Sequence, residues 1–276
     1  MTRRGPVAAG AAERPDTSRL LEDVARGQRR ARRAYRAKYW LVWIGLVVGI
    51  GGLLWYAGRV DLDFVIRAGP FIVRGAEITI LVCVLSIISA TVLAVLGAMG
   101  RLSPNPYVNA VASLYVSLVR GTPLLVQILF IFYGLPYVGI ILPAIPAGVI
   151  ALGFNYGAYM TEIFRAGIQA VPRGQTEAAA ALALPQPLIT RRIVLPQATR
   201  IVIPAIGNEF IAMLKDSALV SFLAVQEILW RADTVGRNAL QPIAALLIAA
   251  LVYWVLTMVF SYFQSRLEGR LARSDQ

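Results

Sequence analysis

The 276-residue chain contains no histidine, one cysteine (Cys83) and only two lysines (Lys38 and Lys215). Without histidine there is no Ser-His-Asp or Cys-His nucleophile system, no imidazole proton relay and no His-ligated metal. A single cysteine inside an apolar run excludes an intramolecular disulfide and a CxxC redox pair. Neither lysine follows a glycine, so the phosphate-cradling G-x-x-x-x-G-K-[ST] loop is missing. The residues point to no catalytic centre, no metal and no cofactor.

Charge is scarce too. Only 15% of the residues are charged and 58% are hydrophobic, with a mean hydropathy of +0.65, against about 25% and about 45–50% in an ordinary soluble domain. The apolar residues pool into long uncharged runs instead of scattering at helical or strand spacing, which identifies a membrane protein. The net charge of +12 raises nucleic acid as a partner, but its placement argues against that. Residues 1–38 carry eleven basic residues and four acids, so seven of the twelve excess charges precede the first apolar run. This suits a basic cytoplasmic tail, expected to be disordered, on a membrane anchor. Its contact with anionic membrane lipid is a second reading beside a plain topology signal.

A membrane-crossing helix needs about 20 mostly apolar residues to satisfy its backbone across about 30 Å of hydrocarbon. Residues 39–58 are uncharged and aromatic at both ends (Tyr39, Trp40, Trp43; Trp55, Tyr56), as interfacial belts require. The run is longer than a signal-peptide core and starts deeper in the chain than such a core does. Further spans are expected at 78–100, 122–136, 147–164, 201–223 and 238–265, with an interfacial helix at 107–119 and a cytoplasmic tail at 267–276. Six spans with both termini inside place 21 of the 27 basic residues in the cytoplasm, in keeping with the positive-inside rule. The fold class is an all-α integral membrane protein.

The stretch 169–196 is too long for a simple helix connection, usually about two to eight residues, and should fold. From Gly174 it runs Gln-Thr-Glu-Ala-Ala-Ala-Ala-Leu-Ala-Leu to Pro185, strong helix formers opened by glycine and closed by proline. Glu177 sits in the first turn, where the helix dipole favours a carboxylate. Pro187 suits the start of a second short helix and Pro196 the start of the fifth span.

At these residues the chain resembles the permease subunits of type I binding-protein-dependent ATP-binding-cassette importers. Their cytoplasmic signature is Glu-Ala-Ala, three residues, Gly, nine residues, then Ile-x-Leu-Pro. Here Glu177-Ala178-Ala179 is followed in register by Ala183 at the glycine position and by Ile193-Val194-Leu195-Pro196. Alanine is a costly replacement where positive φ is required and a mild one where glycine serves only close approach. The resemblance implies a coupling helix that docks on an ATPase subunit through Glu177, Ala178, Ala179, Ala183 and Leu184.

Arg120-Gly121-Thr122-Pro123-Leu124-Leu125-Val126-Gln127, the stretch from Tyr159 through Glu162, Arg165 and Gly167 to Gln175, and Lys215-Asp216-Ser217-Ala218-Leu219 are similar to the polar amino acid permeases (histidine, glutamate, glutamine, arginine and opine type). The likeness covers about residues 75–266 and leaves the basic tail and first span outside. It implies a permease domain over that range, two ATPase subunits, a second permease subunit in a homodimer or heterodimer, an extracytoplasmic binding protein and a bacterial cytoplasmic membrane. It also implies that any ATP is hydrolysed in a partner, so the chain itself is not an enzyme.

Intramembrane charges are costly and usually face a cavity or one another. In the fifth span Asn208, Glu209, Lys215 and Asp216 form a broad polar stripe, offering an acceptor for the ammonium and a donor for the carboxylate of an amino acid. Gln127, Asn155 and Glu162 from neighbouring spans add to this candidate pathway. Pairing of Lys215 with Asp216 inside the protein is the competing reading. The G-x-x-x-G pairs Gly45/Gly49 and Gly153/Gly157 serve either packing within the chain or dimerisation. Rival functions are an ion-coupled secondary transporter using Glu209 and Asp216, and an importer permease for a small solute other than an amino acid.

Overall fold

A computed structural model describes residues 17–58 and 60–273, and every regular element among them is helical. The chain divides at Arg59 into two units.

The first unit is one helix, α1 (Thr17–Gly58). The tail expected to be disordered up to residue 38 is therefore helical from Thr17 onward, while residues 1–16 lie outside the described residues. The reason is local: residues 28–38 are Arg, Ala, Gln, Tyr and Lys, mostly strong helix formers with no glycine or proline. Residues 32–53 of α1 are long and apolar enough to cross a membrane. Where its basic and apolar halves meet, Tyr39 and Trp40 pack edge to face at 5.8 Å and Trp40 and Trp43 at 6.0 Å.

The second unit opens with α2 (Leu62–Val73), whose first turn is capped by the Asp61 carboxylate accepting from the Asp63 amide at 3.1 Å. Phe64, Ala68 and Ile72, four apart, bury one face of α2 against residues such as Ala245 and Ala249 of α11 (Pro242–Arg273) and Ala232 of α10 (Ile228–Asn238). The last seven residues of α11 extend the helix through a stretch expected to be a separate tail, and residues 274–276 lie outside the described residues.

The core of the bundle is α3 (Gly75–Arg101) against α6 (Ala144–Gln169). Lipid is as apolar as leucine, so such helices associate through close packing and polar contacts instead of transfer from water. Small residues permit it: a Cβ on Gly153 would overlap the Ser89 side chain, and one on Gly157 would stand 2.8 Å from the Tyr115 hydroxyl and 2.9 Å from Leu93 Cβ. This second glycine pair thus packs within the chain. Tyr115 of α4 (Pro106–Arg120) also donates to the Phe154 carbonyl at 2.7 Å.

Between α4 and α5 (Leu124–Gly134) the chain bends sharply, 106° between the two helical stretches. Pro123 is extended at φ −64°, ψ 137°, and a proline also disfavours helix in the residue before it. The span expected at 122–136 begins only after this bend, with α5 running on directly into a 3₁₀ turn, Leu135–Val138. Among the described residues three stretches (32–53, 62–101 and 242–270) are long and apolar enough to cross, and the bent pair makes a fourth if counted as one. Helices α6 and α9 (Leu195–Asp216) have comparable length but carry polar residues such as Asn155, Glu162, Glu209 and Lys215.

The expected fifth span also ends early. Helix α9 stops at Asp216, and a 3₁₀ stretch, Ser217–Leu223, carries the chain on to α10. There the wholly buried Glu227 accepts from the Trp230 amide at 2.8 Å, from Thr79 Oγ1 of α3 at 3.5 Å and from the Tyr253 hydroxyl of α11, tying three helices together.

Candidate functional site

Two regions carry the residues singled out from the sequence. The first is the loop between α6 and α9. It folds as α7 (Arg173–Ala181) and α8 (Gln186–Ile189), and a π-helical turn, Thr190–Val194, joins α8 directly to α9. That loosened turn lies just ahead of Pro196, whose ring clashes with the carbonyl four residues back in a regular helix. Val171, Ala179, Ile189, Val194 and Ala198 form a small core that holds the loop to the start of α9.

This core corrects one expectation and supplies one missing residue. Ala179 is only 4% exposed and faces inward, whereas Glu177, Ala178, Ala183 and Leu184 are exposed. Leu182 is 77% exposed on the same loop, an uncovered apolar side chain that the signature does not mark. Helix α7 ends with Ala183 in the left-handed region at φ 56°. The Ala183 amide donates to the Ala180 carbonyl at 2.9 Å and the Leu184 amide to the Ala179 carbonyl at 3.2 Å, the paired closure that normally selects glycine. Of the two readings of Ala183, the positive-φ one holds.

Above this loop, Glu162 near the end of α6 accepts from Arg101 Nε at 3.1 Å and from Arg165 Nη2 at 2.6 Å. Arg101 also donates to the Ser113 hydroxyl of α4, and Arg165 to Gln169 at 2.6 Å. The cluster ties the end of α3 to the middle of α4 and to the last turns of α6, ahead of the loop.

The second region is a cavity of about 350 Å³ lined by Thr122, Pro123, Leu124, Asn155, Tyr156, Tyr159, Glu209 and Asp216. The break between α4 and α5 forms one wall. Gln127 secures that break by donating to the Val119 carbonyl at 2.7 Å and to Thr122 Oγ1 at 2.8 Å, and it accepts from Asn155 Nδ2 at 3.1 Å. Tyr156 donates its hydroxyl to Asp216 Oδ2 at 2.7 Å, and the Arg120 guanidinium lies over the Tyr159 ring at 5.1 Å from its centroid.

Of the seven candidate pathway residues, the structure brings Asn155, Glu209 and Asp216 to this cavity and holds Gln127 one hydrogen bond behind it. Glu162 belongs to the ion-pair cluster, and Asn208 and Lys215 are exposed and not in the lining. Asp216 takes Tyr156 as its partner, not the expected Lys215. Tyr156 and Tyr159 were missed. Tyr159 sits four residues after Asn155 and three after Tyr156, the spacings that bring side chains to one helix face, and that was the available signal. The lining carries two carboxylates, Glu209 and Asp216, and no cation.

Comparison with known proteins places these features in context. Residues 90–273 match the family described as "binding-protein-dependent transport system inner membrane component". The putative glutamine transport system permease protein GlnP of Rickettsia conorii is 39% identical over 76% of this chain and 98% of its own length. The L-cystine transport system permease protein TcyB of Bacillus subtilis is 40% identical over 74% of this chain and 88% of its own. Among solved structures, an amino acid ABC transporter crystallised with histidines superposes with a TM-score of 0.73 at 38% identity, covering 76% of this chain and 99% of that one.

Proposed function

The chain belongs to the family of inner-membrane components of binding-protein-dependent transport systems, and from that premise we propose how it works as the permease subunit of an amino acid ABC importer. The observation that carries the proposal is the pairing of an acid-lined cavity inside the helical bundle with an exposed helix, α7, built at the end of the same bundle.

In this reading α7 and the residues just after it face the cytoplasm and dock on an ATPase subunit through Glu177, Ala178, Leu182, Ala183 and Leu184. The small core around Ala179 passes motion of the loop to α9, and the Glu162 cluster passes it to α3 and α4. Both termini lie in the cytoplasm, because that orientation keeps most of the basic residues inside. A second permease subunit completes the pathway, and a binding protein delivers a polar amino acid from the other side. ATP is hydrolysed in the partner.

The cavity's chemistry fits that cargo. An amino acid's ammonium needs acceptors, which Glu209 and Asp216 provide, while Asn155 and Thr122 offer neutral polar contacts. A charge-assisted hydrogen bond is about twice as strong as a neutral one, so the carboxylates anchor the ammonium and the tyrosines shape the rest. The ion-coupled alternative has no use for an exposed docking helix. The test is reconstitution of the complete transporter in vesicles with a panel of labelled polar amino acids. Accumulation that requires ATP and the binding protein is expected, whereas accumulation driven by an ion gradient without ATP would overturn the reading.

A further inference from the structure

Helix α1 continues without a break from the uncharged run 39–58 back into a strongly basic segment. Within residues 30–38 there are five cations, Arg30, Arg32, Arg33, Arg36 and Lys38, all exposed, and no acid. At about 1.5 Å of rise per residue they lie within roughly 14 Å of Tyr39 along the helix axis. The headgroup layer adds about 5–7 Å to each side of the hydrocarbon, and charge is felt about one Debye length, about 8 Å, beyond it. Because the segment is helical, all five cations stay within reach of one leaflet, where a random tail would carry them away. At about 100° per residue, Arg30, Arg32, Arg33 and Arg36 fall within an arc of about 160°, so a modest tilt turns four guanidinium groups toward the same headgroups. Tyr39 and Trp40, 49% and 54% exposed, mark the level at which the helix enters the interface.

We propose that this basic segment of α1 is a docking surface for the anionic phospholipid headgroups of the leaflet it emerges from. Guanidinium groups bind phosphate bidentately, and charge complementarity selects anionic over zwitterionic lipid. The proposal depends on α1 entering the membrane and is independent of what the helical bundle transports.

The test uses the full chain, assembled with its partner subunits, in bilayers of phosphatidylcholine containing about one-third phosphatidylglycerol. The complex is extracted gently and the retained lipids are counted. At low salt the wild type should hold phosphatidylglycerol at least about threefold above its bulk share, falling toward the bulk share at high salt. The variant R30Q/R32Q/R33Q/R36Q/K38Q should lose the enrichment, and the charge-conserving variant with lysine at the four arginines should keep most of it. Equal enrichment in the wild type and the glutamine variant, or enrichment insensitive to salt, overturns the proposal. If the glutamine variant inverts in the membrane, as protease protection of a C-terminal tag reveals, the wild-type salt titration and the lysine variant decide. Amino acid uptake, measured in parallel, reports separately on the transport assignment.

Discussion

The backbone amide of Leu184 donates to the carbonyl of Ala179 at 3.2 Å, and the closure holds the intervening Ala183 at φ 56°. A residue with a Cβ is strained there, by about 1–2 kcal/mol relative to its ordinary conformations. Glycine relieves that strain at some cost in unfolded-chain entropy. Ala183→Gly should therefore stabilise the end of α7 by about 1 kcal/mol, slowing exchange of the Leu184 amide about fivefold. Unchanged or faster exchange would contradict the closure.

Glu162 bridges Arg101 and Arg165 with side chains only 20–29% exposed. Glu162→Gln leaves two guanidinium groups facing a neutral partner, and the cost should be about 1–3 kcal/mol. A double-mutant cycle with Arg101→Gln, read by thermal unfolding of the purified complex, should show coupling of at least about 0.5 kcal/mol. Strict additivity would mean that the ends of α3 and α6 are not joined through this carboxylate.

Gly157 faces the Tyr115 hydroxyl and Leu93 at less than 3 Å from where a Cβ would stand. Gly157→Ala should cost about 1–3 kcal/mol by overpacking α6 against α3 and α4. Gly49→Ala, at a position with nothing within 4 Å, should leave thermal stability of the complex unchanged. Equal effects at the two sites would show that the close approach of α3 and α6 is not what holds the bundle.

Asp216 accepts from Tyr156 at 2.7 Å at the edge of the cavity. Asp216→Asn should weaken uptake of a polar amino acid about tenfold or more, the scale of one lost charge-assisted contact. Tyr156→Phe, which leaves the carboxylate in place, should do less. Comparable losses from both variants would indicate that the hydrogen bond matters only for shape.

How much was legible in the sequence follows from what is coded by local spacing. The Glu177-to-Pro196 register, the short helix ahead of Pro185 and the apolar runs of α1, α3 and α11 depend on neighbours along the chain, and each was readable. The Tyr156–Asp216 hydrogen bond joins residues 60 apart, and Glu227 joins elements as distant as Thr79; no local pattern announces such pairs. Asp216 carried a charge signal, yet its natural partner on paper was the adjacent Lys215. Ala179 is one of four consecutive alanines, so its inward position emerges only once Ile189 and Val194 fold back on it. The 106° bend at Pro123 was not legible either, because the residues on both sides of it are apolar alike. Helix in residues 17–38 was readable from propensity, but the density of like charge argued the other way.

The central claim is that the exposed helix α7 links the ATPase subunit to movement of cargo through the cavity. Its most direct test is Glu177→Lys in the reconstituted complex, with ATP hydrolysis and amino acid uptake measured on the same vesicles. Glu177 is exposed, outside the small core around Ala179, so insertion and folding should be preserved. The account predicts that uptake falls at least about tenfold while the ATPase subunits retain basal hydrolysis, a loss of about 1.4 kcal/mol or more of coupling. Wild-type uptake in that variant would contradict it.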